Sequence, residues 1–328
     1  MMKLKNIDDN RELTKTLITY WDHDPGCEDL LDHCRISSNA IYPFKQGGEV
    51  RLIRYGQTDE KTREDLLGEL DYLAYLGQAG LPVVEAVPMK DGKFVLTTNT
   101  QWGAFHATAF KKVSGIRTDQ LDLTDDLIKA LGEHLAKLHK ATEGYQPKSN
   151  LRPNFFERLE WMANTIRQYG GAEELLPVIE VVKDLLSAVE RTQANYGLVH
   201  YDYDFDNLFW DQDQSQVNMI DFDDAHYHFY HMDIVSFFST LAEEVEGDQL
   251  DKWKRLFLAS YEKHRPLNHE LVAMAGTLKQ YEDLYSYARC LRSVKEIAQT
   301  PPEWMVNLRD KLVNHMDLSV KRILSNEL

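Results

Sequence analysis

Positive charge is in short supply: 37 lysines and arginines face 53 aspartates and glutamates in 328 residues, a net charge of −16. Nucleic-acid backbones and anionic membranes are recognised by the opposite excess, so neither is expected as a partner, whereas a cationic small molecule would be drawn in. Cysteine is scarce as well. Cys27, Cys34 and Cys290 form no even framework, which excludes a disulfide scaffold and fits reduced thiols in the cytosol. Cys27, His33 and Cys34 match no usual zinc spacing and have no fourth ligand nearby in the sequence. There is no apolar run of membrane-spanning length, and the lysines of MMKLKNIDD lead into no apolar stretch, so a cytoplasmic protein is expected. Glycine-rich phosphate motifs are missing too, since neither G-x-G-x-x-G nor G-x-x-x-x-G-K-[ST] occurs.

What is present is globular in character. The hydrophobic fraction of 43% with 27% charged residues excludes a disordered or fibrous chain, and the length suits about two domains. IYPFKQGGEVRLIRY contains two β-branched and aromatic runs joined at Gly47-Gly48, the chemistry of a hairpin. Residues 60–77 follow as a helix with Leu66, Leu70, Leu73 and Leu76 on one stripe. Two more strands flank Asp91-Gly92, and AFHATAFKKV makes another, for a front sheet of about five strands. Beyond about residue 115 the period changes to helical over 127–138, 155–168, 173–194, 248–264, 268–297 and 303–324. Only GLVHYD, NLFWD and VNMIDF interrupt it as short strands. The expected class is α+β with two lobes, residues 1–112 and 113–328, and a cleft between them where small ligands bind. The first 35 residues and the last 40 or so carry no recognisable motif.

One stretch combines carboxylates with aromatics in a way that neither a solvated face nor a core strand requires. HYDYDFDNLF holds His200, Asp202 and Asn207 in the spacing H-x-D-x-x-x-x-N, and Ile220 to Ala225 reads IDFDDA after the next hairpin. Asp-rich turns are common, but here the order is strand, His-x-Asp, Asn, strand, polar turn, strand, Asp-Phe. This set resembles the catalytic loop and metal-binding Asp of kinase-like phosphotransferases, with Tyr201 and Asp223 standing where protein kinases carry Arg and Gly. It is similar to the aminoglycoside phosphotransferase and choline kinase branch, where H-G-D-x-x-x-x-N and I-D-F/W-x-x-A are usual. The resemblance runs from about Ile36 to Tyr287. It takes in LGEHLAKLH, which ends at His139, and Asp233, which matches an Asp that braces the catalytic loop.

The resemblance implies a two-lobed protein kinase-like fold and transfer of a γ-phosphoryl group from ATP, with GTP possible, to a hydroxyl of a small molecule. Such transfer needs a carboxylate to orient the hydroxyl and accept its proton, the role expected of Asp202. Mg²⁺ prefers oxygen ligands and bridges phosphates, which suits Asn207 and Asp221. His200 is expected to hold the loop. In the front lobe Arg54, with Arg51 as the fallback, takes the place of the strand lysine that pairs with a helix glutamate, here Glu69. Ser37, Ser38 and Asn39 stand where the phosphate loop belongs, and Phe110, Lys111, Lys112 and Val113 where the adenine hinge belongs. For the acceptor, Asp204, Asp223, Asp224, Tyr227, Glu282, Asp283 and Tyr285 suggest an acidic, aromatic wall for an amine-bearing compound such as an aminoglycoside, choline or homoserine. Histidines 226, 228 and 231 leave metal binding open beside that aromatic reading. A non-catalytic pseudokinase that binds nucleotide or a protein partner is the alternative, and a protein kinase a more distant one. The oligomeric state is not legible.

Overall fold

Gly47 and Gly48 both adopt positive φ, 61° and 81°, the backbone that a tight two-residue hairpin demands. They join β2 (Ala40–Gln46) to β3 (Glu49–Gln57). With β1 (Arg35–Ile36), β4 (Ala86–Val87), β5 (Leu96–Thr100) and β6 (Gly103–Lys111) they form an antiparallel sheet. It has six strands, one more than the sequence suggests, because the two-residue β1 extends the edge beside β2. The strands around Asp91-Gly92 do not pair with each other; β4 and β5 each pair with β6. This computed structural model describes residues 2–6, 10–36, 39–148, 152–298 and 300–325.

Helices cover the front sheet, α1 (Arg11–Ile18) with the short 3-10 helix Glu28–Asp32 on one face and α2 (Arg63–Gln78) on the other. α1, which carries no motif, is held at its N-terminus by Asn10 and packs Leu13, Leu17 and Ile18 with Trp21 against Tyr42, Phe44 and Ile53. α2 begins in a capping box, Thr62 with Asp65, and turns Tyr72, Leu73 and Leu76 toward the rear lobe. The first residues, expected in the front lobe, lie against the rear. Leu4 is fully buried in the rear core, and the Lys5 backbone N–H donates to Glu296 O at 2.9 Å.

The rear lobe is mainly helical, with α3 (Asp125–Thr142), α4 (Phe155–Tyr169), α5 (Leu176–Ala188), α6 (His231–Glu244), α7 (Gly247–Glu262), α8 (His269–Ala273), α9 (Ala275–Lys295) and α10 (Glu303–Ser325). Two small β elements sit where it meets the front: β7 (Ile116–Arg117), β9 (Leu208–Asp211) and β10 (Gln216–Met219) in one, β8 (Tyr196–Val199) and β11 (His226–Phe229) in the other. Among the described residues no helix is long and apolar enough to cross a membrane.

α3 and α7 approach closely at Gly132. A Cβ there would press on the Phe257 carbonyl oxygen and lie 3.1 Å from its carbonyl carbon. Alanine improves helix propensity by about 1 kcal/mol over glycine in a free helix. Backbone cannot swing aside as a side chain does, so overpacking of about 1–3 kcal/mol or more prevails. Gly132→Ala is therefore expected to lower the denaturant midpoint, and a raised midpoint would contradict the packing argument.

Candidate active site

The loop after β8 carries the first group of site residues. Tyr201 sits at φ 71°, a left-handed conformation that non-glycine residues seldom adopt. The buried Asp233 on α6 holds it there: its Oδ2 accepts the His200 N–H at 2.9 Å and its Oδ1 the Tyr201 N–H at 2.6 Å. Asp233 Oδ2 also receives the His139 Nε2 hydrogen at 3.0 Å, and Tyr261 hydroxyl lies 2.8 Å from His139 Nδ1. His139 and Asp233, both 0% exposed, thus lock α3, α6 and the loop together. Burial keeps the His139 pKa below its ordinary value despite the carboxylate.

His200 faces inward, and its tautomer follows from its partners. Nε2 lies 2.9 Å from the Ile220 carbonyl, which only accepts, and Nδ1 lies 3.2 Å from the Asp202 N–H, which only donates. His200 therefore donates through Nε2 and accepts at Nδ1, and it spans the two segments that carry Asp202 and Asp221. Asn207 donates through Nδ2 to Asp202 Oδ2 at 2.9 Å and to Asp202 O at 3.0 Å. That leaves its amide oxygen as the atom available to a cation. Burial raises the Asp202 carboxyl above its usual pKa, with Arg289 opposing the shift.

Asp221 also adopts a left-handed backbone, φ 61°, as Asp tolerates. Its Oδ1 is buried and has no hydrogen-bond partner among the described residues. Burial first, then the neighbouring Asp223, pushes its carboxyl up to about 7, with Arg54 working against the rise. An orphaned buried carboxylate oxygen, on a turn whose Ile220 N–H donates to the Asn207 backbone oxygen at 3.0 Å, fits a divalent cation. Among the described residues no group of three or more His, Cys, Asp or Glu is arranged to hold a metal by itself. A Mg²⁺ taking its remaining ligands from phosphates and water needs no such group.

The front lobe supplies a buried cation. Arg54 on β3 forms a fork with Glu69 on α2, NH1 to Oε1 at 2.9 Å and NH2 to Oε2 at 2.5 Å, and stands 3.8 Å from Asp221 Oδ1. Arg51 instead pairs with Glu49 on the hairpin. Ser37 and Ser38 lie outside the described residues. Asn39, expected in the phosphate loop, is buried and donates through Nδ2 to Asp223 Oδ2 at 2.9 Å, so its amide is already engaged. Phe110 and Lys111 end β6, where the Lys111 N–H donates to Glu85 O at 2.8 Å. Lys112 and Val113 continue past the last strand pair.

The acidic acceptor wall is only partly brought together. Asp224 and Tyr285 line a cavity of about 220 Å³ between the β3–α2 loop, α4 and α9, and Asp223 borders it. Asp223 is neutralised. Burial alone would raise its pKa, but its ion pair with Lys61 and the nearby Arg54 hold it low. Tyr227 is elsewhere: strand alternation in β11 turns it away from His226, and its ring stacks toward Tyr196. Glu282 accepts from Ser239 Oγ at 2.7 Å and from Lys279. Asp283 is tied to Lys279 and Arg322, joining α9 to α10. Asp204, which does not line the cavity, is pushed up to about 7 by burial and by Asp202 and Asp206. His226 and His228 are buried against Tyr281 and held neutral by burial, with His228 near about 3.

Sequence reasoning missed Lys61, Arg152, Arg158 and Arg289. Arg152 donates to the carbonyls of Ala225 at 2.7 Å (Nε), Asp223 at 2.8 Å (NH2) and Asp65 at 3.1 Å (NH1), fixing the turn after Asp221. Nothing local in LRPNFFE marks it.

The chain is 26% identical over 205 residues to amicoumacin kinase of Bacillus subtilis (strain 168), covering 60% of this chain and 59% of that protein. It is 28% identical over 213 residues to homoserine kinase of Caulobacter sp. (strain K31), covering 62% of each. The matches thus span less than two thirds of the length of these relatives. Among solved structures it superimposes on amicoumacin kinase hAmiN, described in complex with AMP-PNP, Ca²⁺ and Ami, with a TM-score of 0.73, 19% identity and coverage of 96% of this chain and 94% of that one. A microcompartment-associated aminopropanol kinase gives a TM-score of 0.70 at 22% identity, covering 97% and 99%. These likenesses establish the two-lobed kinase-like fold. Residues 39–306 match the model of the phosphotransferase enzyme family, APH, and with most of its length inside that match the chain belongs to this family.

Proposed function

We propose that the protein transfers the γ-phosphoryl group of a nucleoside triphosphate, ATP or GTP, to a hydroxyl of a small molecule, with Mg²⁺ held by Asn207 and Asp221. The observation that carries this reading is the convergence of Asp202, Asn207 and Asp221, with the Arg54–Glu69 fork 3.8 Å from Asp221. The relatives named above are kinases of small molecules, which agrees with it. A bound divalent cation supplies charge neutralisation on the phosphates. Asp202 orients the acceptor hydroxyl and takes its proton. The acceptor oxygen–phosphorus bond forms as the bond to the β–γ bridging oxygen breaks, leaving the nucleoside diphosphate. Arg54, fixed by Glu69, holds the phosphates, and His200 keeps Asp202 at the right distance from the turn at Asp221. All three chemistry-bearing residues are present, against the pseudokinase alternative.

The test is nucleotide consumption by purified protein across hydroxyl compounds. Chelation of divalent cations should abolish turnover. Asp221→Ala should raise KM for metal-nucleotide and lower turnover together. Nucleotide consumption that continues undiminished in chelator would sink the reading.

A further inference from the structure

The cavity beside Asp224 carries four cations, and three of them are matched. Lys61 pairs with Asp223, Arg289 with Asp224 at 2.8 Å, and Arg292 with Glu60 at 2.5 Å. Arg158 on α4 is different. It has no ion pair among the described residues, and its Nε is buried with no hydrogen-bond partner among them. Its guanidinium sits 5.7 Å from the centre of the Tyr285 ring, and that of Arg289 5.5 Å from the same ring. The Tyr285 hydroxyl donates to Asp224 Oδ1 at 3.2 Å, which fixes the ring.

An arginine cannot discard its charge by losing a proton. A guanidinium held half-buried with open donors therefore favours an anion in the cavity, and its planar fork matches a carboxylate. The cavity is adjacent to the chemistry, since Tyr285, which lines it, packs its ring 5.0 Å from that of Tyr201, the residue before Asp202, and Asp224 follows the Asp221 turn. We propose that the acceptor bears a carboxylate beside its hydroxyl and that Arg158 binds that carboxylate. This rests on the phosphotransferase reading. It reverses the expectation drawn from net charge, because of the five carboxylates bordering this cavity Asp223, Asp224 and Glu60 are matched by Lys61, Arg289 and Arg292, Asp59 by Lys3, and Asp65 is engaged by the Thr62 N–H and hydroxyl at the start of α2. The carboxylate end of the acceptor is thus selected by α4, while its hydroxyl is presented to Asp202.

The test compares L-homoserine with 3-amino-1-propanol, the same skeleton without the carboxylate, and L-serine with ethanolamine. Within at least one pair, the acid should be phosphorylated with kcat/KM about tenfold or more above the amino alcohol. Arg158→Gln should raise KM for that acid by about 10–100-fold, as expected for losing charged hydrogen bonds, and move KM for the amino alcohol by less than about threefold. Arg158→Lys, which keeps the charge and loses the fork, should fall between. The wild-type comparison stands even if a variant fails to fold. Equal or better use of the amino alcohols, an equal loss for both members of a pair in Arg158→Gln, a rise in nucleotide KM instead, or no turnover of any of the four would overturn the proposal. In that last case, metal-dependent nucleotide binding seen by thermal shift would leave the phosphotransferase reading standing, whereas its absence would remove both.

Discussion

Replacing Asp202 by Asn is expected to reduce turnover by roughly 10²–10⁴-fold while nucleotide affinity stays within about threefold. The substitution is nearly isosteric, and the new side-chain oxygen still accepts from Asn207 Nδ2, which stands 2.9 Å from Asp202 Oδ2. What disappears is the capacity to take a proton from the acceptor hydroxyl. The proposed cation ligands Asn207 and Asp221 and the Arg54–Glu69 fork are untouched, so nucleotide should bind as before. Steady-state rates and nucleotide titration of the same preparation separate the two effects. Turnover within about tenfold of the wild type would remove Asp202 from the role of base.

The second large effect is expected at Asp233. Its carboxylate satisfies two backbone N–H groups and the His139 ring in a fully buried place. Asp233→Ala leaves three donors without an acceptor, each costing about 1–3 kcal/mol, so a stability loss of roughly 3–5 kcal/mol is expected once relaxation is allowed. Activity should fall further than stability alone explains, because the left-handed turn at Tyr201 loses the anchor that sets the direction of Asp202. Urea unfolding with rates measured well below the transition distinguishes the two losses. A folded variant of unchanged stability would show that the brace is dispensable.

The legible parts of this molecule were those written in local order. The spacing from His200 to Asn207 and the following Ile220–Ala225 picked out two segments that the fold joins through His200, and periodicity placed α2 so that Glu69 lies beside its apolar stripe, where Arg54 meets it. The charge pairing around the cavity was not legible. A sequence displays Asp223, Asp224 and Asp283 as charges but not Lys61, Arg289 and Arg322, the partners that neutralise them from 162, 65 and 39 residues away. Composition is blind to such pairing, so a net charge of −16 says little about the sign inside one cavity. α1 escaped notice for a different reason. With 8 residues it is short, and its amphipathic pattern carries little weight until the sheet beneath it is known.

Tyr201 occupies the position where the resembling enzymes usually carry glycine. In an L-residue the left-handed turn costs about 1–2 kcal/mol, which glycine would avoid. The ring offsets that cost by burial, with centroids 4.7 Å from His226 and 5.0 Å from Tyr285. The catalytic loop is consequently geared to the wall of the cavity: the side chain next to Asp202 rests on the same tyrosine that lies beneath Arg158 and Arg289. Tyr285 therefore belongs at once to the lining of the cavity and to the packing that holds the turn before Asp202.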